Sequence, residues 1–340
     1  MEPAATATAA RDEPLLDVRD LHVEFRTRDG VAHAVRGVSY AVRARRTLAV
    51  LGESGSGKSV AAQAVMGILD SPPGFVTRGE ILFRGEDLLT MGREERRKVR
   101  GARMAMIFQD ALSALNPVLT VGEQLGEMFR VHRGMSRKDA RARAVELMDR
   151  VRIPAARERA GDYPHQFSGG MRQRVMIAMA IALEPELVIA DEPTTALDVT
   201  VQAQVMDLLA ELQREYGMGL ILITHDLGVV ADVADEIAVM YAGRIVETAP
   251  VHEIYRSPAH PYTRGLLESI PRLDHKGGEL HAIRGLPPNP LRIPPGCSFH
   301  PRCPLARDVC ATDEPALYRI SARRGSACHF WRECLGDDQR

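Results

Sequence analysis

Four stretches of this chain share one pattern, a short unbroken apolar run that ends in polar residues or glycine. Thr47-Leu-Ala-Val-Leu51 runs into Gly52, and Met104-Ala-Met-Ile-Phe108 runs into Gln109. Leu187-Val-Ile-Ala190 runs into Asp191, and Leu220-Ile-Leu-Ile223 runs into Thr224 and His225. Runs without alternation suit strands buried on both faces of a mostly parallel sheet. A buried helix could produce any one of them, but similar lengths and endings read as strands. In such sheets ligands bind beyond the carboxyl ends of the strands, where these polar clusters fall.

Other segments carry different periods. Residues 15–42 alternate and hold the turn signal Asp29-Gly30, which predicts an antiparallel β subdomain. Helical periodicity follows Gly57, fills much of 128–151, and runs on from Gly170 and from Val199. Residues from about 110 to 166 therefore read as a helical insertion between two sheet strands. Residues 237–248 read as a hairpin about Ala242-Gly243. Beyond Pro250 proline becomes frequent, with Pro287-Pro288, Pro290 and Pro294-Pro295, and loop-rich structure is expected. Residues 1–14 lack the apolar core of a signal peptide and read as a disordered leader. No apolar run approaches the roughly 18 residues that span a bilayer, so the chain is expected in the cytoplasm.

Length and charge narrow the classes. The 340 residues leave room for about two domains. Lys plus Arg number 44 against 45 Asp plus Glu, a net charge of -1 that excludes a globally basic nucleic-acid binder. The basic stretches 93–103 and 133–143 are interrupted by acids and read as solvated helix faces. All five cysteines fall between Cys297 and Cys334, and in a reducing compartment clustered thiols are more often metal ligands than disulfides.

Gly52-Glu53-Ser54-Gly55-Ser56-Gly57-Lys58-Ser59 fits G-x-x-x-x-G-K-[ST], after an apolar strand and before a helix that continues through Val60. The glycines let backbone N–H groups curl around phosphate oxygens, and the helix adds its positive end. Lys58 then reaches the β- and γ-phosphates, and the Ser59 hydroxyl binds Mg²⁺. In Leu187-Val-Ile-Ala-Asp191-Glu192, an acid ends a buried strand, which is expensive unless it has work. Asp191 is expected to hold Mg²⁺ through its water shell, and Glu192 to be the base for the attacking water.

Between these elements lies Phe167-Ser168-Gly169-Gly170-Met171-Arg172-Gln173-Arg174, which resembles the signature motif of ATP-binding cassette (ABC) proteins. Phe167 and Met171 replace the usual leucine and glutamine, while the phosphate-gripping Ser-Gly-Gly is intact. Gln109 resembles the Q-loop glutamine that senses Mg²⁺ and the attacking water. Ala196-Leu197-Asp198 resembles the D-loop, and His225 the switch histidine that contacts the γ-phosphate. Phe25 stands where the family sets an aromatic ring against adenine. The resemblance covers residues 15–250 and implies an α/β P-loop NTPase of the ABC cassette fold: a mostly parallel core sheet, an antiparallel β subdomain and a helical insertion. It implies two cassettes facing head to tail, with Ser168, Gly169 and Gly170 of one against the ATP of the other, and Asp198 at the same junction.

Residues 251–340 form the extension. Pro258-Ala-His-Pro261-Tyr262, with the stretch to Leu273, resembles the extension of the ATPases of oligopeptide, dipeptide and nickel importers. Tyr163-Pro-His-Gln166, Phe108-Gln109-Asp110, Leu115-Asn116-Pro117 and Met176-Ile-Ala-Met-Ala180 resemble the same group. By itself, His260-Pro261-Tyr262 equally reads as a surface turn before an amphipathic helix. Cys297, Cys303, Cys310 and Cys328 are separated by five, six and seventeen residues. Such a thiolate set satisfies zinc or an iron–sulfur cluster; Cys303-Pro304, the wide intervals and the resemblance favour [4Fe–4S], with zinc or unligated structural cysteines as the alternatives. Cys334 is the spare thiol, with His300 and His329 as weaker ligands.

The resemblance implies an ATPase that powers uptake of di- and oligopeptides. Its partners would be a second, related ATPase in a heterodimer, two transmembrane permease subunits against the helical insertion, and an extracytoplasmic substrate-binding protein. Its place would be peripheral, on the cytoplasmic face of a bacterial plasma membrane. Nickel or another small solute is the alternative cargo. A soluble ABC ATPase of DNA repair or translation is the rival class, but such proteins usually carry extra insertions or basic surface, and neither is visible here.

Overall fold

The computed structural model describes residues 13–195, 197–269 and 283–336. Most of the expected leader, Ala196 of the D-loop and the run from Ile270 to Leu273 lie outside the described residues. The chain forms two compact units, and each gathers separate stretches of sequence.

The first unit comprises residues 13–15, Arg43–Arg46 and Thr90–Leu222. Three of the apolar runs are strands here, in the order Gly219–Thr224, Leu187–Asp191, Met104–Ile107. The last two pair in parallel, Met104 opposite Leu187 through Ile107 opposite Ala190. Every residue of all three strands is buried, which explains the missing alternation. Between Ile107 and Leu187 the chain is helical: Ala111–Ala114, Val121–Arg133, Arg137–Arg150, Ala156–Arg159 and Gly169–Ile181, with a 3₁₀ turn at Pro164–Gln166. Local chemistry sets these bounds. Thr120 and Glu123 close a capping box at the start of Val121–Arg133, and Gly134 ends it at φ 63°. Ser136 then caps Arg137–Arg150 by accepting from the Asp139 N–H. Val121, Leu125, Phe129, Ala140, Ala144 and Met148 are buried, while the arginines of 137–143 point outward as solvated helix faces.

The second unit comprises Leu16–Val42, Thr47–Leu89 and the described part of Ile223–Arg340. One antiparallel sheet runs in the order Gly30–Val42, Leu16–Thr27, Gly74–Phe83, Glu86–Asp87. Thr27 faces Gly30 across the Asp29-Gly30 turn. Gly74–Phe83 carried no clear strand signal, and it completes this sheet against Leu16–Thr27. Five further strands run in the order Tyr318–Ser321, Arg324–Ser326, Arg244–Pro250, Glu236–Tyr241, Thr47–Leu51. Thr47–Leu51 pairs in parallel with Glu236–Tyr241, and the remaining contacts are antiparallel. The hairpin about Ala242-Gly243 is present.

The extension is loop-rich where its prolines cluster, and residues 283–299 hold no helix or strand. It holds the helices Val251–Arg256, Pro261–Glu268, Asp308–Thr312 and Trp331–Leu335, and its strand Arg324–Ser326 adds to Arg244–Pro250. His260-Pro261-Tyr262 is not a surface turn: His260 and Tyr262 are fully buried, and their rings meet those of Tyr241 and Phe299. Among the described residues no helix is long and apolar enough to cross a membrane.

Candidate functional site

The phosphate loop belongs to the second unit. Thr47–Leu51 delivers the chain to Gly52, and the helix Lys58–Met66 begins as the loop ends. Its shape depends on glycine at two points of close approach. A Cβ on Gly52, at φ 151°, would lie 2.2 Å from the Met240 carbonyl oxygen, and one on Gly57, at φ 101°, 2.4 Å from that of Ala34. Lys58 is buried and folds back over the loop, its Nζ donating to the carbonyls of Gly52 at 2.8 Å and Glu53 at 3.0 Å. Ser54 and Gly55 are exposed at the crest, Ser56 is buried, and Ser59 and Val60 are half-buried in the first helical turn. Phe25 is half-buried near the end of Leu16–Thr27, with Ala32 and Gly74 as its cross-strand partners. His225 stands exposed just beyond Gly219–Thr224, and Asp226 caps the next helix through the Gly228 N–H at 2.9 Å.

The first unit supplies the acids. Asp191 ends Leu187–Asp191 and is 5% exposed. Glu192 turns out of the strand at φ 46°, an unusual conformation for a residue with a side chain, of the kind kept at functional sites. Its Oε2 accepts from Gln109 Nε2 at 3.0 Å and from Thr195 Oγ1 at 2.9 Å. These two contacts orient the carboxylate. Thr195 was not singled out from the sequence, since a threonine three residues beyond an acid carries no signal of its own. Ser168 caps Gly169–Ile181 through the Met171 N–H at 3.3 Å, with Ser168 and Gly169 exposed. Gly170 packs on Val201, so close that an added Cβ would fall 2.6 Å from its Cγ1. Asp198 caps Val199–Tyr216 through the Val201 N–H at 3.0 Å, and Val199 beside it is 82% exposed.

The cysteines converge in the second unit. Cys297, Cys303, Cys310 and Cys328 line one narrow recess with His260, His300, His329, Phe299, Leu305 and Phe330. Gly296, at φ 64°, turns the chain so that the Cys297 N–H donates to the Cys310 carbonyl at 2.8 Å. Burial pushes the Cys297 thiol up and that of Cys303 up to about 11. Cys334, the spare thiol, is hydrogen-bonded to Cys328, which holds the Cys328 proton more tightly and lowers its own pKa. Among the described residues no group of three or more His, Cys, Asp or Glu side chains is disposed to hold a metal ion.

The extension also reaches the phosphate loop. The Tyr262 hydroxyl accepts from the Glu53 N–H at 2.8 Å, and Arg302 makes a two-pronged ion pair with the Glu53 carboxylate at 2.6 and 2.9 Å. Arg302 lies 249 residues from Glu53, so no local pattern could have found it.

With this geometry in hand, comparison with known proteins is informative. Residues 35–195 match the ABC transporter family, and residues 246–310 match the oligopeptide/dipeptide transporter C-terminal region. The chain is 53% identical over 298 residues to the dipeptide transport ATP-binding protein DppD of Bacillus subtilis, covering 88% of this chain and 89% of that one. It is 49% identical over 334 residues to the oligopeptide transport ATP-binding protein OppD of Salmonella typhimurium, covering 96% and 98%. Among solved structures it resembles a dimeric post-hydrolysis state of the cassette MJ0796 bound to ADP and Pi, with a TM-score of 0.63 and 26% identity over 69% of this chain and 98% of that one.

Proposed function

This chain belongs to the ABC transporter ATP-binding proteins of the oligopeptide/dipeptide type, and we propose that it hydrolyses ATP to power peptide uptake. The Glu192 carboxylate, oriented by Gln109 and Thr195 at the end of a buried strand, carries the hydrolytic part of the reading. The peptide cargo rests on relatives at about half identity over nearly the whole chain, extension included.

In the proposed reaction Lys58 and the N–H groups of the loop other than that of Glu53, which Tyr262 holds, grip the triphosphate, and Phe25 meets the adenine. Glu192 takes a proton from water as its oxygen bonds to the γ-phosphorus. The bond to the bridging β–γ oxygen breaks, and ADP carries that oxygen away. His225 contacts the γ-phosphate. The hydroxyl of Ser59, the Asp191 carboxylate and the Gln109 amide are hard oxygen donors that suit Mg²⁺, which when bound neutralises charge on the phosphates. Ser168, Gly169 and Asp198 are exposed at or before helix starts, which supports their use against the nucleotide of a second cassette. A dimeric relative bound to ADP and Pi supports the same arrangement.

We propose further that Cys297, Cys303, Cys310 and Cys328 hold a [4Fe–4S] cluster. Four thiols line one recess, and the resemblance of the extension favours a cluster over zinc. The cluster would tie the extension together. The partners in this reading are a related ATPase, two permease subunits that meet the helices of 110–166, and an extracytoplasmic binding protein. The chain would then lie on the cytoplasmic face of the membrane.

The test is ATP hydrolysis by the reconstituted complex, with permeases and binding protein, against short peptides and against nickel. Stimulation by peptides is expected. Stimulation by nickel alone would move the cargo, and a complex that hydrolyses ATP but ignores peptides would overturn the peptide reading.

A further inference from the structure

Glu53 is the second residue of the phosphate loop, and each of its polar groups is taken. Its carbonyl accepts from the Ser56 N–H at 3.2 Å and from Lys58 Nζ at 3.0 Å, both inside the loop. Its N–H and its carboxylate are held from the extension instead, by the Tyr262 hydroxyl and the Arg302 guanidinium. We infer that Tyr262 and Arg302 are positioning residues for nucleotide binding, through which the cysteine-bearing extension sets the shape and charge of the phosphate loop. The inference rests on the ATP reading above.

Both holders are rigid. Tyr262 is fully buried among Tyr241, Phe299 and His260. The Arg302 side chain is 5% exposed; its Nε donates to the Arg284 carbonyl at 2.9 Å, and its guanidinium lies beside the rings of Tyr241 and Phe299. It sits in the 3₁₀ turn His300–Arg302, directly before Cys303 and packed through Phe299 against the recess the cysteines line. The crest of the loop has little of its own to pack on: Gly55 has no atom within 4 Å of where a side chain would start, and Ser54 is exposed. Anchoring it during folding removes an ordering cost from nucleotide binding. Charge matters as well. An acid next to a triphosphate repels it, and Arg302 cancels that acid with a forked, charge-assisted pair.

The charge argument gives a signature that a simple staple does not share. Removing Arg302 frees an uncompensated carboxylate beside the phosphates, whereas Glu53→Gln removes the pair and the charge together. Arg302→Met should therefore weaken binding of a fluorescent ATP analogue by the full-length chain by about tenfold, and Glu53→Gln by about threefold. The double variant should return to the Glu53→Gln value. Arg302→Lys, which keeps the cation but not the fork, should recover part of the loss. In the assembled transporter, Arg302→Met should raise the KM for ATP by about tenfold with kcat within about twofold. In the nucleotide-free chain, Tyr262→Phe should speed hydrogen exchange at the Glu53 amide by about tenfold, a readout independent of any nucleotide. Affinity for Arg302→Met within twofold of the wild-type chain, or losses that simply add in the double variant, would overturn the inference. Failure of the wild-type chain to bind the analogue would instead overturn the ATP reading, and the Glu53 exchange rate would still judge the tether.

Discussion

Glu192→Gln is the sharpest test of the hydrolytic geometry. The substitution conserves volume, and a glutamine that turns its carbonyl oxygen toward Gln109 and Thr195 can accept from both donors, now at 3.0 and 2.9 Å. Those bonds lose charge assistance, roughly half their strength, but the side chain is only half-buried, so stability should change by less than about 1 kcal/mol. What the amide cannot do is take a proton from water. Loss of a well-placed base lowers the rate by about 10²–10⁴-fold, equivalent to about 3–5 kcal/mol of barrier. The assay is single-turnover hydrolysis by the reconstituted complex, paired with the fraction of cassettes trapped as a nucleotide-bound dimer. Turnover should collapse while trapped ATP rises. Thr195→Val supplies the contrast: it keeps the base and removes one donor that orients it, for a loss of about tenfold. Turnover of Glu192→Gln within threefold of the parent, or a Thr195→Val defect as deep as that of Glu192→Gln, would refute the assignment of Glu192 as the base.

Three further outcomes follow from particular contacts. Gly170→Ala puts a Cβ 2.6 Å from Val201 Cγ1 in the packing of Gly169–Ile181 on Val199–Tyr216, and should destabilise the chain by about 1–3 kcal/mol in urea melts. Arg324→Met strands Glu247, which is fully buried and shares an ion pair with Arg324, and should destabilise by about 3–5 kcal/mol. Burial already raises the Glu247 pKa, so its protonated form suits the fold, and stability in that variant should be present at low pH and lost as pH rises; urea melts at pH 5 and pH 8 read the difference. Cys303→Ser should lower iron from about four atoms per chain after anaerobic purification to below one, by metal analysis, and should destabilise the extension in hydrogen exchange.

Much of the candidate nucleotide site was legible because it is written in local chemistry. A β-phosphate loop needs glycines and a lysine in fixed order, and a buried strand that ends in Asp191-Glu192 announces itself by the cost of the acids. Caps such as Thr120, Ser136, Ser168 and Asp198 likewise act within three or four residues of themselves. The strand Gly74–Phe83 was harder to read, because its burial alternates irregularly and Gly74 and Gly79 interrupt it. The loops of the extension were legible from its prolines, and residues 283–299 hold no helix or strand, but proline frequency says nothing of what a turn packs against.

The sequence by itself determined the four apolar strand runs, the phosphate loop, the acids at its far motif and the identity of the clustered thiols. These depend on residue type at short spacing, and backbone geometry converts such spacing directly into place. Only the tertiary structure decided that Thr195 and Gln109 share one oxygen of Glu192, that the cysteines face a common recess, and that Arg302 and Tyr262 hold the second residue of the phosphate loop. Those partners are separated by up to 249 residues, and which of many arginines reaches a given carboxylate is settled by how buried faces pack, a property of the whole chain that no short window of it contains.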